Sequence, residues 1–289
     1  MSDSQRKGES DPMTHSVQEL SERALAVRRD VVRMLGLARS GLLASSLSIV
    51  DILVWLYWGV LDVRPGEPEW EGRDRFVLGK GHGCPALYSV LANRGFFPRE
   101  ELWSYRRLGA MLQTYPEVRR TPGIDAPGGS LGQGLGVANG LALALRSSDP
   151  APSVVCLVGD GELQEGAMWE SALTAAHHGL DSLTLIVDRN GRQMEGATED
   201  IKSLEPVADK FIAFGWTVAE CDGHDFSSLR SGYGELAGAV GRPRCLIART
   251  KLGKGISFLE EDPSGGRMVL DRNSTDRALE ELAGEEDGQ

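Results

Sequence analysis

The sequence predicts an α/β fold, a doubly wound parallel sheet with helices on both faces, and three observations carry that expectation. Short β-branched or apolar runs recur along the chain: RFVL from Arg75, VVCLV from Val154, LTLIVD from Leu183, WTVAECD from Trp216 and CLIART from Cys245. Helix-length stretches lie between them, and strands joined through helices form right-handed βαβ units whose sheet is parallel and covered on both sides. Each run passes directly into glycine or small polar residues. Glycine supplies 36 of 289 residues, about 12 % against roughly 7 % in average proteins, and no Gly-X-Y repeat or Gly/Ser tract absorbs the excess. Ligands of parallel sheets bind at the carboxyl ends of the strands, so the surplus glycine marks a site.

Taken in order, the first sixteen residues, MSDSQRKGESDPMTHS, form a polar tail without the apolar core of a signal peptide, and are expected to be disordered. Apolar residues then fall at Val17, Leu20, Ala24, Val27, Val31, Met34, Leu35 and Ala38, in steps of three and four, which predicts an amphipathic helix. Ser40-Gly41 interrupts it. A second helix follows from Leu47 to about Leu61, apolar nearly all round and therefore buried, with Ser45 or Ser46 as its cap. Ser48 and Asp51 interrupt this stretch, and it is shorter than the roughly 20 residues a bilayer needs. Further helices are expected at Pro85 to Arg94, Gly134 to Arg146, Glu162 to His178 and Pro206 to Phe214. No repeat, linker or shift in composition divides residues 17–282, which are read as one domain, and residues 283–289 form an acidic, frayed tail.

Composition narrows the partners. With 42 acidic and 31 basic side chains the formal charge is −11, which argues against a nucleic-acid groove or an anionic membrane surface. A hydrophobic content of 41 % is ample for a large core. Cys84, Cys156, Cys221 and Cys245 are widely spaced with no CxxC pair, so they are read as reduced thiols of a cytoplasmic protein and not as a zinc site or disulfide framework.

The sharpest chemical signal is Gly159-Asp160-Gly161 directly after the run ending at Val158, with Asn190 closing the next run. A carboxylate and an amide oxygen at the ends of adjacent parallel strands can converge on one hard divalent cation, and Mg²⁺ favours oxygen ligands shared with phosphates. Gly161 lets the backbone approach a diphosphate, and a helix beginning near Glu162 would offer its first N–H groups. Taken alone, the triplet is equally an ordinary strand-to-helix turn with a capping aspartate. His82 sits in Gly-Lys-Gly-His-Gly, where flanking glycines expose it for function. His177 and His178 stand at a helix end, where dipole and capping account for them. His224, in Asp-Gly-His-Asp, lies on the ligand edge of the sheet but is equally a turn residue. Cys84 is too close to His82 in sequence to pair with it as a nucleophile. Glu165 is explained locally as an acidic residue in a helix's first turn.

The run from Gly159 to Asn190, GDGELQEGAMWESALTAAHHGLDSLTLIVDRN, closely resembles the thiamine diphosphate motif of transketolases. DRFVLGKGHGCPALY around His82, GSLGQGLGVANGLALA from Gly129 and RTKLGKGISF from Arg249 match in family order, and the resemblance spans roughly residues 18–260. It is confined to the amino-terminal, diphosphate-binding domain of the family. It implies that domain's fold and two cofactors, thiamine diphosphate and Mg²⁺, with Ca²⁺ or Mn²⁺ as substitutes. Asp160, Asn190 and the carbonyl of Arg192 are the implied metal ligands. Gly161 and His82 would face the diphosphate, together with neighbouring Gly159 and Glu162. Gly129, Ser130 and Leu131 would lie along the aminopyrimidine, with Met194 and Leu252 as apolar walls. Glu165 resembles a glutamate of an acidic network across the family's dimer interface, and with His82 makes the implied catalytic pair.

The resemblance further implies a separate partner of similar length, carrying the pyrimidine-binding domain and its catalytic glutamate, in an α₂β₂ assembly. Together they would transfer a two-carbon ketol unit from a ketose or ketose-phosphate donor. Acyl transfer from a 2-oxo acid, glycolyl transfer to a carrier thiol, and a non-catalytic scaffold are the alternatives. Three departures touch the sugar-reading side: Leu42 in SGLLAS, Tyr115 in TYPE and Gly265 in SGG stand where the family commonly has histidines. A site lacking those partners should read sugars differently.

Overall fold

The hydroxyl of Ser16 accepts a hydrogen bond from the Glu19 N–H while the Glu19 carboxylate accepts from the Ser16 N–H, a reciprocal cap that starts α1 (Val17–Ala38). The computed structural model containing it describes residues 15–262 and 268–284. Most of the two expected tails, and Gly265, lie outside the described residues. The apolar stripe of α1 is buried from Leu20 to Leu35, and Arg39 ends the helix in the left-handed region at φ 48°.

The single helix expected at 47–61 is two: α2 (Leu43–Leu47) and α3 (Val50–Gly59). Ser45 and Ser46 lie inside α2 and cap nothing; Ile49 precedes α3 without a side-chain cap. Ser48 occupies the break, and its hydroxyl binds the Asp188 carboxylate at 2.8 Å and the Ser45 carbonyl at 3.2 Å. The polar residue was visible as an interruption of the apolar stretch, but the partner that turns it into a helix break is far away in sequence.

The strands are β1 (Arg75–Leu78), β2 (Val154–Gly159), β3 (Leu183–Arg189), the short β4 (Arg192–Gln193) and β5 (Gly196–Ala197), β6 (Thr217–Asp222) and β7 (Arg244–Arg249). Five of them form one parallel sheet in the order β1-β2-β3-β7-β6; β4 and β5 pair as a small antiparallel hairpin. Alternate residues of each central strand enter opposite cores, as they must when both faces are covered. Val155, Leu157, Ile186 and Leu246 pack with α1, α2, α3, α4 (Cys84–Arg94) and α9 (Phe226–Glu235). Val154, Cys156, Val158, Leu185, Val187 and Ile247 pack with α5 (Gly134–Leu145), α6 (Gly166–His177) and α8 (Val207–Ala213). Short α7 (Thr198–Ile201) and α10 (Ser257–Glu260) and the longer α11 (Arg272–Gly284) are the remaining α-helices among the described residues. The four cysteines are buried and free. Among the described residues no helix is long and apolar enough to cross a membrane.

A second difference lies beside the candidate site. The helix expected from Glu162 begins as a 3₁₀ turn, Gly161–Gln164; Glu165 is extended (φ −81°, ψ 134°) and α6 starts only at Gly166. The Glu162 carboxylate accepts from the Gly132 N–H at 2.8 Å, so its side chain ties this turn to the loop before α5.

Candidate active site

Register decides which side chains meet. Gly159 of β2 pairs with Asp188 of β3, so the chain leaving both strands sets Asp160 beside Arg189, Asn190 and Gly191. Oδ1 of Asp160 accepts from the Gly161 N–H at 2.9 Å; Oδ2 accepts from the Gly191 N–H at 2.6 Å and from Arg189 Nη1 at 2.8 Å. Asn190 Nδ2 donates to Asp188 at 3.0 Å while its Oδ1 accepts from the Arg192 N–H at 3.0 Å, which fixes the amide's orientation. Beneath them Asp188 is fully buried and accepts from Lys80 Nζ at 2.5 Å, from Ser48 and from the Thr250 hydroxyl. One carboxylate thus ties the ends of β1, β3 and β7 to the α2–α3 break.

These strand ends open into a cavity of about 460 Å³. His82, Gly129, Leu131, Gly159, Asp160, Gly161, Glu162, Glu165, Asn190, Arg192, Met194 and Leu252 all line it, so the structure gathers nearly every residue singled out in the sequence. Ser130 is the exception: it is exposed and does not line the cavity. Leu42 and Tyr115 line it too, as do Ser45, Lys80, Gln164 and Gln193, which sequence reasoning missed. The signal for Lys80 was present: a cation placed between two glycines at a strand end needs a nearby anion if it is to be buried. His177 and His178 end α6 away from the cavity with their rings 5.0 Å apart. Cys84 is packed against the Thr114 carbonyl at 3.1 Å, and burial pushes its thiol up to about 12, so it holds no thiolate.

Electrostatics separate the acids. Burial, reinforced by the charge of Asp188, raises Asp160 to about 6 despite Arg189. Burial also raises Glu162 to about 7, although backbone groups of Gly132 and Gly159 favour its charged form. For Asp188 burial works in the same direction but Lys80 prevails and holds the carboxyl below its ordinary value. Burial and then the Lys80 charge lower His82 to about 4, leaving its imidazole neutral near pH 7.

The residues present fit a divalent cation and a diphosphate. Asp160 carboxylate, Asn190 amide oxygen and Arg192 carbonyl are all hard oxygen donors, and Asp160 is a buried anion that a cation would relieve. Among the described residues no group of three or more His, Cys, Asp or Glu side chains is placed to hold a metal ion. Glu162 Oε2 is buried without a hydrogen-bond partner. A β-carbon at Gly161 would stand 2.8 Å from that of Gln193, and one at Gly81 would stand 2.8 Å from the Gly129 nitrogen, so backbone closes on the cavity where side chains could not.

A family model described as transketolase, thiamine diphosphate binding domain, matches residues 20–270. The 6-deoxy-6-sulfo-D-fructose transketolase subunit of Clostridium sp. (strain MSTE9) is 39% identical over 264 residues, covering 91% of this chain and 96% of that protein. An apulose-4-phosphate transketolase subunit of Actinobacillus succinogenes is 39% identical over 275 residues, covering 95% of this chain and 99% of its own length. The crystal structure of a transketolase from Campylobacter jejuni superposes with a TM-score of 0.86 at 32% identity, over 93% of this chain and 43% of that one.

Proposed function

Because the chain belongs to the transketolase family and carries its thiamine diphosphate-binding domain, we propose that it is the cofactor-binding subunit of a two-component transketolase-like enzyme. The observation that carries this reading is the meeting of Asp160, Asn190 and the Arg192 main chain with His82 and Gly129 in one cavity at the ends of β1, β2 and β3. In this reading residues 17–282 are one cytoplasmic domain. Asp160, Asn190 and the Arg192 carbonyl would hold Mg²⁺, or Ca²⁺ or Mn²⁺ in its place. His82 and the backbone around Gly161 would face the diphosphate, Gly129 and Leu131 the aminopyrimidine, and Met194 and Leu252 the apolar sides. Thiamine diphosphate, when bound, supplies a nucleophilic carbon able to break the bond beside a ketone.

The chain's own residues bind and orient. His82 presents a neutral ring nitrogen that exchanges hydrogen bonds without adding charge. Lys80 and Asp188 hold Asn190 from below. Leu131, Leu252 and Met194 give apolar lining for the bound cofactor to cover. Glu165 is exposed on the cavity wall, where it would meet an acidic group of the partner chain. The partner supplies the pyrimidine-binding domain and its glutamate, in an α₂β₂ assembly; the relatives named as transketolase subunits, matched over nearly their whole lengths, support a separate partner. The reaction is transfer of a two-carbon ketol unit from a specialised ketose or ketose phosphate. The apolar Leu42 on the cavity wall and the specialised sugars in the relatives' names support that specialisation.

The test is calorimetry on the chain combined with its carboxy-terminal partner. Thiamine diphosphate should bind in the presence of Mg²⁺, and Asp160→Ala or Asn190→Ala should weaken binding by about a hundredfold or more. Unchanged binding in both variants removes the metal assignment. Consumption of a ketose phosphate together with an aldehyde acceptor supports ketol transfer; decarboxylation of pyruvate in its place overturns it.

A further inference from the structure

Asp51 lies in α3 and is 4% exposed, yet two cationic or polar side chains from other elements converge on its Oδ2. Arg28 Nη2 of α1 stands 2.5 Å away and His224 Nδ1, in the turn after β6, 2.7 Å. Both partners continue to the same third segment, the chain leaving β7. The Lys251 N–H donates to His224 Nε2 at 2.8 Å, and Arg28 Nε donates to the Lys254 carbonyl at 3.3 Å. Between those anchors the Gly253 N–H donates to the Ala44 carbonyl of α2 at 3.0 Å. Leu252 is the residue they bracket, and it lines the cofactor cavity. None of Asp51, Arg28 and His224 lines that cavity; with Lys254 and Gly255 of the segment they border a separate one of about 560 Å³.

Resting on the transketolase reading above, we propose that Asp51, His224 and Arg28 form a clamp that positions Leu252 against the bound cofactor, making His224 a positioning residue rather than a turn residue. The ring can do this in one tautomer. A nitrogen that accepts from the Lys251 amide carries no proton, so Nδ1 carries it and donates to Asp51. Both ring nitrogens are therefore committed, one to the buried carboxylate and one to the segment. Burial opposes the charge on Asp51, but Arg28 and His224 hold its carboxyl below the ordinary value, so the anchor stays an anion. Gly255, at φ 90°, brings the segment so close that a β-carbon there would stand 3.2 Å from Arg28 Cδ. The segment is pinned at Lys251, Gly253 and Lys254, and Leu252 has no freedom to leave the wall.

The experiment is a double-mutant cycle in the assembled enzyme, full chain with partner, reading thiamine diphosphate affinity at saturating Mg²⁺ by calorimetry. His224→Asn is short enough to keep a donor for Asp51 while losing the acceptor for Lys251. It should weaken the cofactor by roughly tenfold, and His224→Gln, which restores an acceptor at that reach but gives up the donor to Asp51, should recover part of that loss. Leu252→Ala should weaken binding comparably, and adding His224→Asn to it should change nothing further, because the clamp acts through Leu252. Turnover at saturating cofactor should be kept in all His224 variants. Unchanged affinity in His224→Asn, or additive effects in the double variant, overturns the proposal. Hydrogen exchange at the Lys251 amide should quicken in His224→Asn and recover in His224→Gln; equal protection in the three proteins overturns it as well. That second readout needs no cofactor. If the unaltered complex binds no thiamine diphosphate, the functional reading fails, while exchange still decides whether the clamp fixes the segment.

Discussion

At the floor of the cavity Lys80, Asp160, Glu162 and Asp188 are at most 1% exposed, while on its wall and rim Tyr115 is 42% exposed and Met194 55%. The floor is held by its own hydrogen bonds. Asp188 takes donors from four residues, Asp160 from three, and Asn190 is turned by one donor and one acceptor. A buried polar atom left without a partner costs about 1–3 kcal/mol, so each of these residues restricts its neighbours. The rim faces solvent, substrate or a second chain, with no such mutual restriction. Residue changes should therefore gather at the rim, where Leu42 and Tyr115, the two described positions read in the sequence as departures from the family pattern, both lie.

The comparison breaks first if the floor proves tolerant. Lys80→Met removes the cation that stands 2.5 Å from Asp188 and leaves a fully buried carboxylate uncompensated. Loss of one partner from a buried ion pair costs about 3–5 kcal/mol, so denaturant unfolding should show a fall of that size. A loss below about 1 kcal/mol would mean that Ser48, Thr250 and Asn190 suffice to hold the charge, and the floor would be less interlocked than its geometry implies.

Next in size is a dependence on pH. Glu162 holds its proton to about 7 when folded, against an ordinary value of 4.5. Between those values the folded state keeps a proton that the unfolded state has lost, so the Glu162 contribution to stability falls as pH rises, by about 3 kcal/mol over the window. His82 does the reverse: lowered to about 4 from 6.5, it makes stability rise with pH across that range. The His82 slope opposes that of Glu162, while Asp160, raised to about 6, adds to it, so the profile of the unaltered protein is a sum in which no single group is read directly. Glu162→Gln exposes the hidden term. Its unfolding free energy relative to the original chain should climb between pH 5 and 7, and a parallel pair of profiles would return Glu162 to an ordinary carboxylate.

Sequence pattern revealed the floor unevenly, and the reason is distance along the chain. The five main strands were legible because apolar residues buried on both faces leave continuous runs, and Asp160 and Asn190 because each closes such a run. Glu162 reads in sequence as the start of a helix and stands in the structure as a brace to Gly132. Ser48 showed in the sequence as a polar interruption and not as a helix break, since its hydroxyl answers to Asp188, 140 residues on. Lys80 carried a local signal, a cation between two glycines at a strand end, but its anion, Asp188, lies 108 residues away and could not be named. Ser130 belongs to a matching motif yet turns outward, because pattern fixes a loop's place in the chain and not the direction of each side chain. His224 looked equally like a turn residue until its two partners, Asp51 and Lys251, stood beside it.

The smallest effect is expected at the rim, and it sharpens the contrast most directly. Tyr115→His and Leu42→His place imidazoles at the two positions where the sequence resemblance implies them. Tyr115 is exposed and Leu42 only lines the wall, so neither change strands a buried polar atom; unfolding free energy should move by no more than about 0.5 kcal/mol. Cofactor affinity should stay within about twofold, because neither residue belongs to the donor set around Asp160. What should move is the choice of donor. An imidazole adds a hydrogen-bonding group at Leu42 and replaces a longer phenol at Tyr115, which favours a ketose hydroxyl over an apolar or bulky group and shifts the ratio of kcat/KM between a simple ketose phosphate and the native donor by about tenfold. Competition between the two donors in one assay measures that ratio without absolute rates. A large loss of stability or cofactor affinity in either variant would show that the rim is tied into the floor after all, and donor choice could then not change without disturbing the cofactor site.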